Sequence, residues 1–323
     1  MPGTHADTIA DAFAWACALD VLCAKPGNVS FGAPGHRMTA DLFVASAQAA
    51  CHAVTAHGVS VGERIERAVN LSMQAAGCNT NLGIVLLCAP LAQTFEHLHA
   101  THRAPTAHEA HVAVRATLSN LDLADACAAY RAIALANPGG LGEAPSQNVG
   151  SAPTVDLLSA MTLARDRDSV ARQYASGFVD VLGYGVIQMR AALGAARLHP
   201  GDLPRLLRAV LKTWLAFLSH WPDSHIARKH GIEVARKVTL EARKWHMQSA
   251  LDFERLAAWD AAMKRDGINP GTTADLTVAT LFAAACLDPS LLRVRCMESA
   301  HARPAWRRQP NIESRVLRVP GVP

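Results

Sequence analysis

The chain has 323 residues, of which half are hydrophobic and 5% are aromatic, so it can bury a large core. Its formal charge is +4 and no basic stripe carries interleaved aromatic residues, so we expect no nucleic-acid partner. No apolar run reaches the roughly 20 residues of a membrane helix and no charged-then-apolar leader is present, so we expect a cytoplasmic protein without a membrane segment.

Apolar residues recur at helical spacing along most of the chain, whereas runs of strand-forming residues are scarce. The periodic segments end at Pro or Gly, which break helices. The predicted helices are roughly 8–24, 39–57, 61–76, 80–92, 107–118, 122–136, 153–165, 168–197, 203–220, 224–244, 247–265 and 272–286. The sequence therefore predicts an all-α fold, a single compact multi-helix domain of about twelve helices.

Two segments lie outside this pattern. Residues 137–152 form the longest predicted loop, and loops of this length inside a compact domain are often functional. Residues 302–323 are basic and Pro-rich, which predicts a flexible tail. We therefore assign residues 1–301 to the all-helical domain.

The first polar segment in chain order is Lys25-Pro26-Gly27-Asn28, which ends the first predicted helix. It leads into a Gly-rich run that closes with His36 and Arg37, a sequence typical of backbone bent to approach a ligand. Lys25 can bind a phosphate group, or it can simply interact with the negative end of the helix dipole. Both interpretations stay open for this segment.

The second polar segment is Asn79-Thr80-Asn81, between a helix and an apolar run. Asn79 or Thr80 can cap the helix that follows. Three amide or hydroxyl side chains exceed what one cap needs, which favours a role in binding a ribose, a base or a metal-bound water.

Histidines and cysteines indicate no metal site. The histidines of one polar stretch have no acidic or thiolate partner at metal-site spacing, so we interpret them as surface residues; they are His97, His99, His102, His108 and His111. The eight cysteines form no C-x-x-C pair, and most lie among Ala and Leu, as buried free thiols do.

Acidic residues mark the third polar segment, where Asp166 and Asp168 stand two residues apart at a predicted helix start. Two such carboxylates can share a divalent cation with the phosphates of a nucleotide. Alternatively, Asp168 and Arg172 form an ordinary surface ion pair at i,i+4. A further helix opens at Asp223, a good N-cap residue, and its basic residues His225, Arg228 and Lys229 face either solvent or an anion.

The last polar segment precedes the most apolar predicted helix. Pro270 and Gly271 break the chain, and Thr272 or Thr273 can then cap the helix. A helix start leaves N–H groups unpaired and suits a phosphate or a carboxylate. Asp275, one turn into the helix, can hold a metal ion; an ordinary capped helix is the alternative.

These polar segments, in this order, resemble the triphosphoribosyl-dephospho-CoA synthase family. The matching segments are residues 25–29, 79–83, 166–178 and 270–276, so the resemblance spans most of the chain. The resemblance implies an all-helical enzyme that moves the ribosyl-5-triphosphate of ATP onto a hydroxyl of dephospho-CoA and releases adenine.

The chain also departs from the pattern of the members that act on dephospho-CoA. Their His-Lys pair is replaced by Asn81 and Leu82, and an Arg-Gly-Glu near the third segment is replaced within residues 173–177. The chain looks closer to a divergent branch, found in archaea and in bacteria that use methanopterin-type one-carbon cofactors. That branch shares the sequences of residues 137–142 and 172–178, so the implied acceptor is a dephospho-CoA-like or methanopterin-type cofactor precursor.

Cleavage of a ribosyl–adenine bond passes through an oxocarbenium-like state and needs the triphosphate to be neutralised. As a hypothesis, Asp166, Asp168 and Asp275 hold Mg²⁺, or one of them activates the acceptor hydroxyl. The candidates for binding phosphate, ribose or base are Lys25, Asn28, His36, Asn79, Thr80, Asn81, Arg172, Arg228, Thr272 and Thr273.

Two other classes of protein and one other donor substrate remain open. The chain can be a helical protein that binds a nucleotide or a partner without turnover, or a metal-dependent phosphohydrolase with the same metal site and no acceptor. The donor can be phosphoribosyl pyrophosphate in place of ATP. Ala-rich apolar helices also leave a homodimer open.

Overall fold

The apolar residues at helical spacing do form helices in the residues that the computed structural model describes, which are 5–100, 104–139, 141–142, 144 and 146–294. The α-helices in chain order are α1 His5–Leu22, α2 Ala40–Val54, α3 Val61–Ala76, α4 Leu82–His99, α5 Ala107–Ser119, α6 Leu123–Ala136, α7 Leu157–Ala164, α8 Ser169–Ser176, α9 Val186–Leu193, α10 Leu203–His220, α11 Ser224–His230, α12 Ile232–His246, α13 Phe253–Arg265 and α14 Gly271–Leu287. No β-strand occurs within these ranges. The predicted all-α domain is confirmed, with fourteen α-helices where about twelve were expected.

Helix α14 lies at the centre of the fold. Its sequence is apolar around the whole helix, as expected for a helix covered on all sides. It packs against α1, α4 and α10, and Phe282 meets Phe13 and Phe95 edge to face, with ring centroids 6.1 and 6.3 Å apart. Every residue of α14 is buried except Gly271 and Asp275. The core therefore fixes the position of Asp275.

Local capping sets several helix ends where the sequence predicts them. Thr106 and Glu109 form a capping box at the start of α5, and Asp122 and Asp125 form one at α6. Asp125 also accepts a hydrogen bond from the amide of Gly62 at 2.6 Å, which joins α6 to α3.

Two predicted helices are each divided in the structure. The segment 168–197 is broken at Gly177 and Phe178, whose φ angles are 68° and 59°, and a π-helix over Val179–Gly185 precedes α9. The segment 224–244 is broken at Gly231, whose φ is 88°. A residue with positive φ leaves the right-handed helix, so the backbone at these residues ends each helix.

The structure corrects the interpretation of one histidine. Helix α4 continues as far as His99, which is buried with Nε2 3.0 Å from the carbonyl oxygen of Cys286. His97 and His108 are exposed, as predicted, and His111 is partly exposed. His102 and the predicted tail, 302–323, lie outside the described residues.

The described cysteines are free, and Cys17, Cys23, Cys88 and Cys286 are buried, as predicted. None of the described helices combines the length and apolar character needed to cross a membrane.

Candidate active site

A cavity of about 420 Å³ lies where the N-terminal ends of α4, α8, α11 and α14 meet. Helix N-termini carry partial positive charge and suit phosphate groups. The amides of Gly83 and Ile84, in the first turn of α4, donate to no described residue. The candidate residues that line this cavity are Asn28, His36, Asn79, Thr80, Asp168, Arg228, Thr272 and Asp275.

Asp275 faces the cavity without a partner, since its carboxylate makes no hydrogen bond or ion pair with a described residue. Burial raises the pKa of Asp275 well above its usual range, and the charges of Asp20, Asp223 and Asp168 act in the same direction. Arg228 opposes them. The negative charge of Asp275 is therefore destabilised in the cavity unless a cation binds to it or the carboxyl group is protonated.

Asp168 lies at the start of α8 and links it to α11. Its Oδ1 accepts the amides of Val170 and Ala171 at 2.8 and 3.1 Å, so it is the N-cap of α8. Its Oδ2 lies 2.5 Å from Nη1 of Arg228. Asp168 therefore pairs with a residue of another helix, whereas the sequence suggested Arg172.

The start of α4 is held by polar contacts to neighbouring helices. Thr80 donates to Ser46 Oγ at 2.7 Å, and Asn81 Nδ2 donates to Ser72 Oγ at 3.0 Å. Asn79 Oδ1 accepts the amide of Leu82 at 3.2 Å. Asn79 and Thr80 line the cavity, but Asn81 does not. Asn81 therefore positions α4.

The first and last polar segments of the chain meet at the cavity. Nδ2 of Asn28 donates to Oδ1 of Asn269 at 3.0 Å, and His36 Nε2 lies 2.8 Å from the carbonyl oxygen of Gly27. Gly27 has φ of 78°, and a Cβ there would lie 2.8 Å from the carbonyl oxygen of Ile268. The positive φ and this close approach explain why residue 27 is a glycine where the two segments pack together.

Lys25 is not placed where the sequence suggested. Its ammonium is buried, lies 3.0 Å from Oδ1 of Asp20 and donates to the carbonyl oxygens of Asp20 and Cys23. It does not line the cavity, but Asp20 does. Sequence reasoning missed Asp20, although an acid in the last turn of an apolar helix, five residues before a lysine, was a usable signal.

Three other candidates also lie away from the cavity lining. Asp166 has a side chain that is 95% exposed and lies 3.8 Å from Arg165. Arg172 pairs with Asp180 at 2.9 Å and lies over the ring of Trp221. Thr273 donates its amide and its hydroxyl to Asp223, both at 2.7 Å. Asp223 thus satisfies the start of α14, where the sequence predicted a threonine cap.

Two further cations line the cavity: Arg167, which the sequence analysis did not select, and Lys229. Their side chains make no hydrogen bond or ion pair with any residue that the structure describes. His225 also lines the cavity, and burial, with the charges of Arg228 and Lys229, lowers its pKa to about 4. At neutral pH, Arg167 and Lys229 are therefore available to an anion, and His225 is an uncharged imidazole.

The predicted loop 137–152 forms part of the cavity wall. Leu141 of this loop and Leu163 of α7 are exposed apolar side chains that line the cavity. Tyr130 fixes the loop by donating its hydroxyl to the carbonyl oxygen of Gln147 at 2.8 Å. The cavity therefore has an apolar wall beside its charged residues.

The described residues contain no group of three His, Cys, Asp or Glu side chains placed to hold a metal ion. Mg²⁺ is usually held by one or two carboxylates together with substrate phosphates, so a nucleotide site needs no such group. No described Lys or Arg forms an ion pair with Asp275, and the charges of Asp20, Asp168 and Asp223 act on it. This donor set fits Mg²⁺.

The fold and the cavity define an all-α protein whose main cavity suits a phosphorylated small molecule. Residues 6–293 match the CitG family, described as ATP:dephospho-CoA triphosphoribosyl transferase, so the chain belongs to this family of ribosyl-transferring enzymes. The predicted family is thereby confirmed. The match covers all the polar segments described above and the loop 137–152.

A solved structure supports the same assignment. The crystal structure of a protein from Archaeoglobus fulgidus, provisionally assigned as a triphosphoribosyl-dephospho-CoA synthase, is similar to this chain with a TM-score of 0.57 and 25% sequence identity. The similarity covers 76% of this chain and 99% of that one. No curated protein matches the sequence.

Proposed function

We propose that this chain transfers the triphosphoribosyl group of ATP to a hydroxyl of a methanopterin-type cofactor precursor and releases adenine. The observation that carries the transfer is the position of Asp275, an unpartnered carboxylate in a cavity lined by helix N-termini and free cations. Family membership supports a ribosyl transfer from ATP. The acceptor is inferred from the positions at which this chain differs from the family members that act on dephospho-CoA.

The charged wall of the cavity suits the triphosphate. Arg167, Arg228 and Lys229 supply positive charge, and the free amides of Gly83 and Ile84 supply hydrogen-bond donors. Asp275 would hold Mg²⁺, which when bound neutralises phosphate charge, whereas Asp168 is already engaged by the α8 amides and by Arg228. Asp275 would thus bind the metal ion of a metal–nucleotide substrate, and the cations would bind its phosphates.

The transfer requires that the ribosyl carbon develop positive charge as the adenine leaves. The acceptor oxygen forms a bond to that carbon while the bond to adenine breaks and its electron pair stays on the adenine. The hydroxyl proton passes to a cavity carboxylate, and the leaving adenine takes up one proton from water, so the proton lost by the acceptor is balanced by the one gained by the base. Direct attack on the β-linked nucleotide gives an α-linked product.

Two placements favour an acceptor other than dephospho-CoA. Leu82, which stands where family members carry a lysine, lines the cavity, and Asn81 beside it is buried against Ser72. The segment that matches the methanopterin-associated branch also lines the cavity, through Asn137, Pro138 and Leu141. Methanopterin contains an α-ribosyl link to a ribitol hydroxyl, which is the product stereochemistry expected here.

The test is chromatographic detection of adenine after incubation with ATP and Mg²⁺ and one of two acceptors, dephospho-CoA or a ribitol-bearing pterin or arylamine precursor. Adenine released with the ribitol compound supports the proposal. Adenine released only with dephospho-CoA would support the transfer and contradict the acceptor. No adenine with either acceptor, from protein that binds ATP, would overturn the proposed transfer. Asp275→Asn serves as the inactive control.

A further inference from the structure

Asp20 and Lys25 form a buried ion pair beside the cavity. Their side chains are 5% and 0% exposed, and Oδ1 of Asp20 lies 3.0 Å from Nζ of Lys25. Taking two charges out of water is costly, so a buried ion pair contributes little net stability compared with apolar side chains of similar size. Its place at the cavity therefore indicates a role in binding.

The two members of the pair differ in their remaining contacts. Lys25 also donates to the carbonyl oxygens of Asp20 and Cys23 and does not line the cavity. Asp20 lines the cavity, and apart from the ion pair with Lys25 its carboxylate accepts no hydrogen bond from a described residue. Asp20 thus has a balanced charge but unused hydrogen-bonding capacity. A buried carboxylate in that state needs neutral donors.

Asp275 lines the same cavity as Asp20 but differs from it in its charged partners. It has no cation partner among the described residues, and the charge of Asp20 contributes to its raised pKa, so the two carboxylates lie near each other. Asp275 suits a metal ion, whereas Asp20, already paired with an ammonium, suits hydroxyl groups. In a nucleoside triphosphate, the neutral hydroxyl donors are those of the ribose.

We propose that Asp20 binds the ribose of the donor nucleotide by accepting a hydrogen bond from its 2′- or 3′-hydroxyl. Lys25 is a positioning residue that fixes the carboxylate of Asp20. This inference rests on the proposed use of ATP as donor. Hydrogen bonds to the hydroxyl beside the reacting carbon strengthen in glycosyl transfer, so the contact also serves the reaction.

The experiment measures binding of ATP, 2′-deoxy-ATP and 3′-deoxy-ATP to the full chain and to Asp20→Asn by calorimetry. In the unmodified protein, removal of the bound hydroxyl should weaken binding about tenfold or more, as expected for a hydrogen bond to a charged group. In Asp20→Asn the same removal should cost less than about threefold, because the charged acceptor is gone. The quantity compared is the ratio of the dissociation constants of the deoxy-ATP and of ATP. A purely structural role of Asp20 would leave this ratio the same in Asp20→Asn as in the unmodified protein.

Asp125→Asn is the matched control, because Asp125 is a buried carboxylate that does not line the cavity. It should keep the ratio of the unmodified protein. If Asp20→Asn does not fold, the double variant Asp20→Asn/Lys25→Met removes both charges and allows the same comparison. ATP binding with an unchanged ratio in the Asp20 variants would overturn this inference alone. An unmodified protein that binds no ATP would overturn the proposed donor as well.

Discussion

Asp275 and Gly83 lie so close together that a Cβ atom on residue 83 would overlap with Oδ2 of Asp275. Gly83 is in the first turn of α4, and Asp275 is in the first turns of the central helix α14. The missing side chain of Gly83 therefore makes the space into which the Asp275 carboxylate fits.

Gly83→Ala should lower the turnover number at least about tenfold, which corresponds to about 1.4 kcal/mol of lost transition-state stabilisation. The new methyl group displaces the carboxylate of Asp275 or pushes α4 away from α14. Alanine is about 1 kcal/mol better than glycine inside a helix, so a loss cannot come from helix propensity. Adenine release under saturating substrate measures the effect.

Gly201→Ala is the control for this change, since Gly201 lies in open space and has no positive φ. It should leave the rate of adenine release unchanged. Equal rates for Gly83→Ala and the unmodified protein would show that the position of Asp275 does not matter to the reaction.

Asp275→Asn should abolish turnover and stabilise the protein at high pH. The folded-state pKa of Asp275 is raised above the ordinary value of about 3.9. Its contribution to stability is therefore fully present below about pH 4 and is lost as the pH rises through the raised pKa. An asparagine does not titrate, so the stability of the variant does not decrease with pH at this position.

Thermal unfolding between pH 5 and pH 9 tests whether the stability difference between Asp275→Asn and the parent protein grows as the pH rises. The melting temperature of Asp275→Asn should exceed that of the parent by about 2 °C or more at pH 8, equivalent to about 1 kcal/mol in a domain of this size. The difference should shrink towards pH 5. Asp166→Asn controls for the loss of one charge, because Asp166 lies at the surface. A difference that is constant with pH would contradict the raised pKa.

The sequence predicts helices well because their apolar faces are local features. It misses the breaks at Gly177 and Gly231, since only the packed chain shows that these glycines adopt positive φ. Phe178 is harder still, because a buried phenylalanine at φ of 59° is maintained by its surroundings and not by its own preference.

The polar clusters are also visible in the sequence, but the partner of each charge is not. Arg172 was expected to bind phosphate, yet it pairs with Asp180, which the π-helix brings to it. Asp168 pairs with Arg228, sixty residues later in the chain. Partners across a fold depend on how helices pack, which one sequence does not show.

Arg228→Met should weaken ATP binding about tenfold or more, because it removes a cation from the cavity and frees the charge of Asp168. Both side chains of the ion pair are largely buried, so the free energy of unfolding should also fall, by about 1–3 kcal/mol. Equilibrium binding of ATP and urea unfolding separate the two effects.

Arg236→Met is the matched control, since Arg236 forms an exposed ion pair with Glu233 at 2.6 Å outside the cavity lining. It should leave ATP binding unchanged. If both variants bind ATP as the parent does, Arg228 takes no part in phosphate binding.

Arg167 and Lys229 place two positive charges in the wall of the cavity. The double variant Arg167→Gln/Lys229→Gln should bind ATP at least about tenfold more weakly than the parent at low ionic strength, since both residues line the cavity without described partners. The salt dependence of the binding constant should also become less steep, because fewer charges act on the triphosphate.

Arg165→Gln/Lys237→Gln removes the same net charge from residues that do not line the cavity. ATP binding measured between 50 and 300 mM salt should therefore differ between the two double variants, with the larger loss and the flatter salt dependence in Arg167→Gln/Lys229→Gln. An equal loss in both would mean that only the net charge of the protein attracts the nucleotide. A larger loss in the cavity variant assigns the triphosphate to the wall where Arg167 and Lys229 stand, beside the N-terminus of α8.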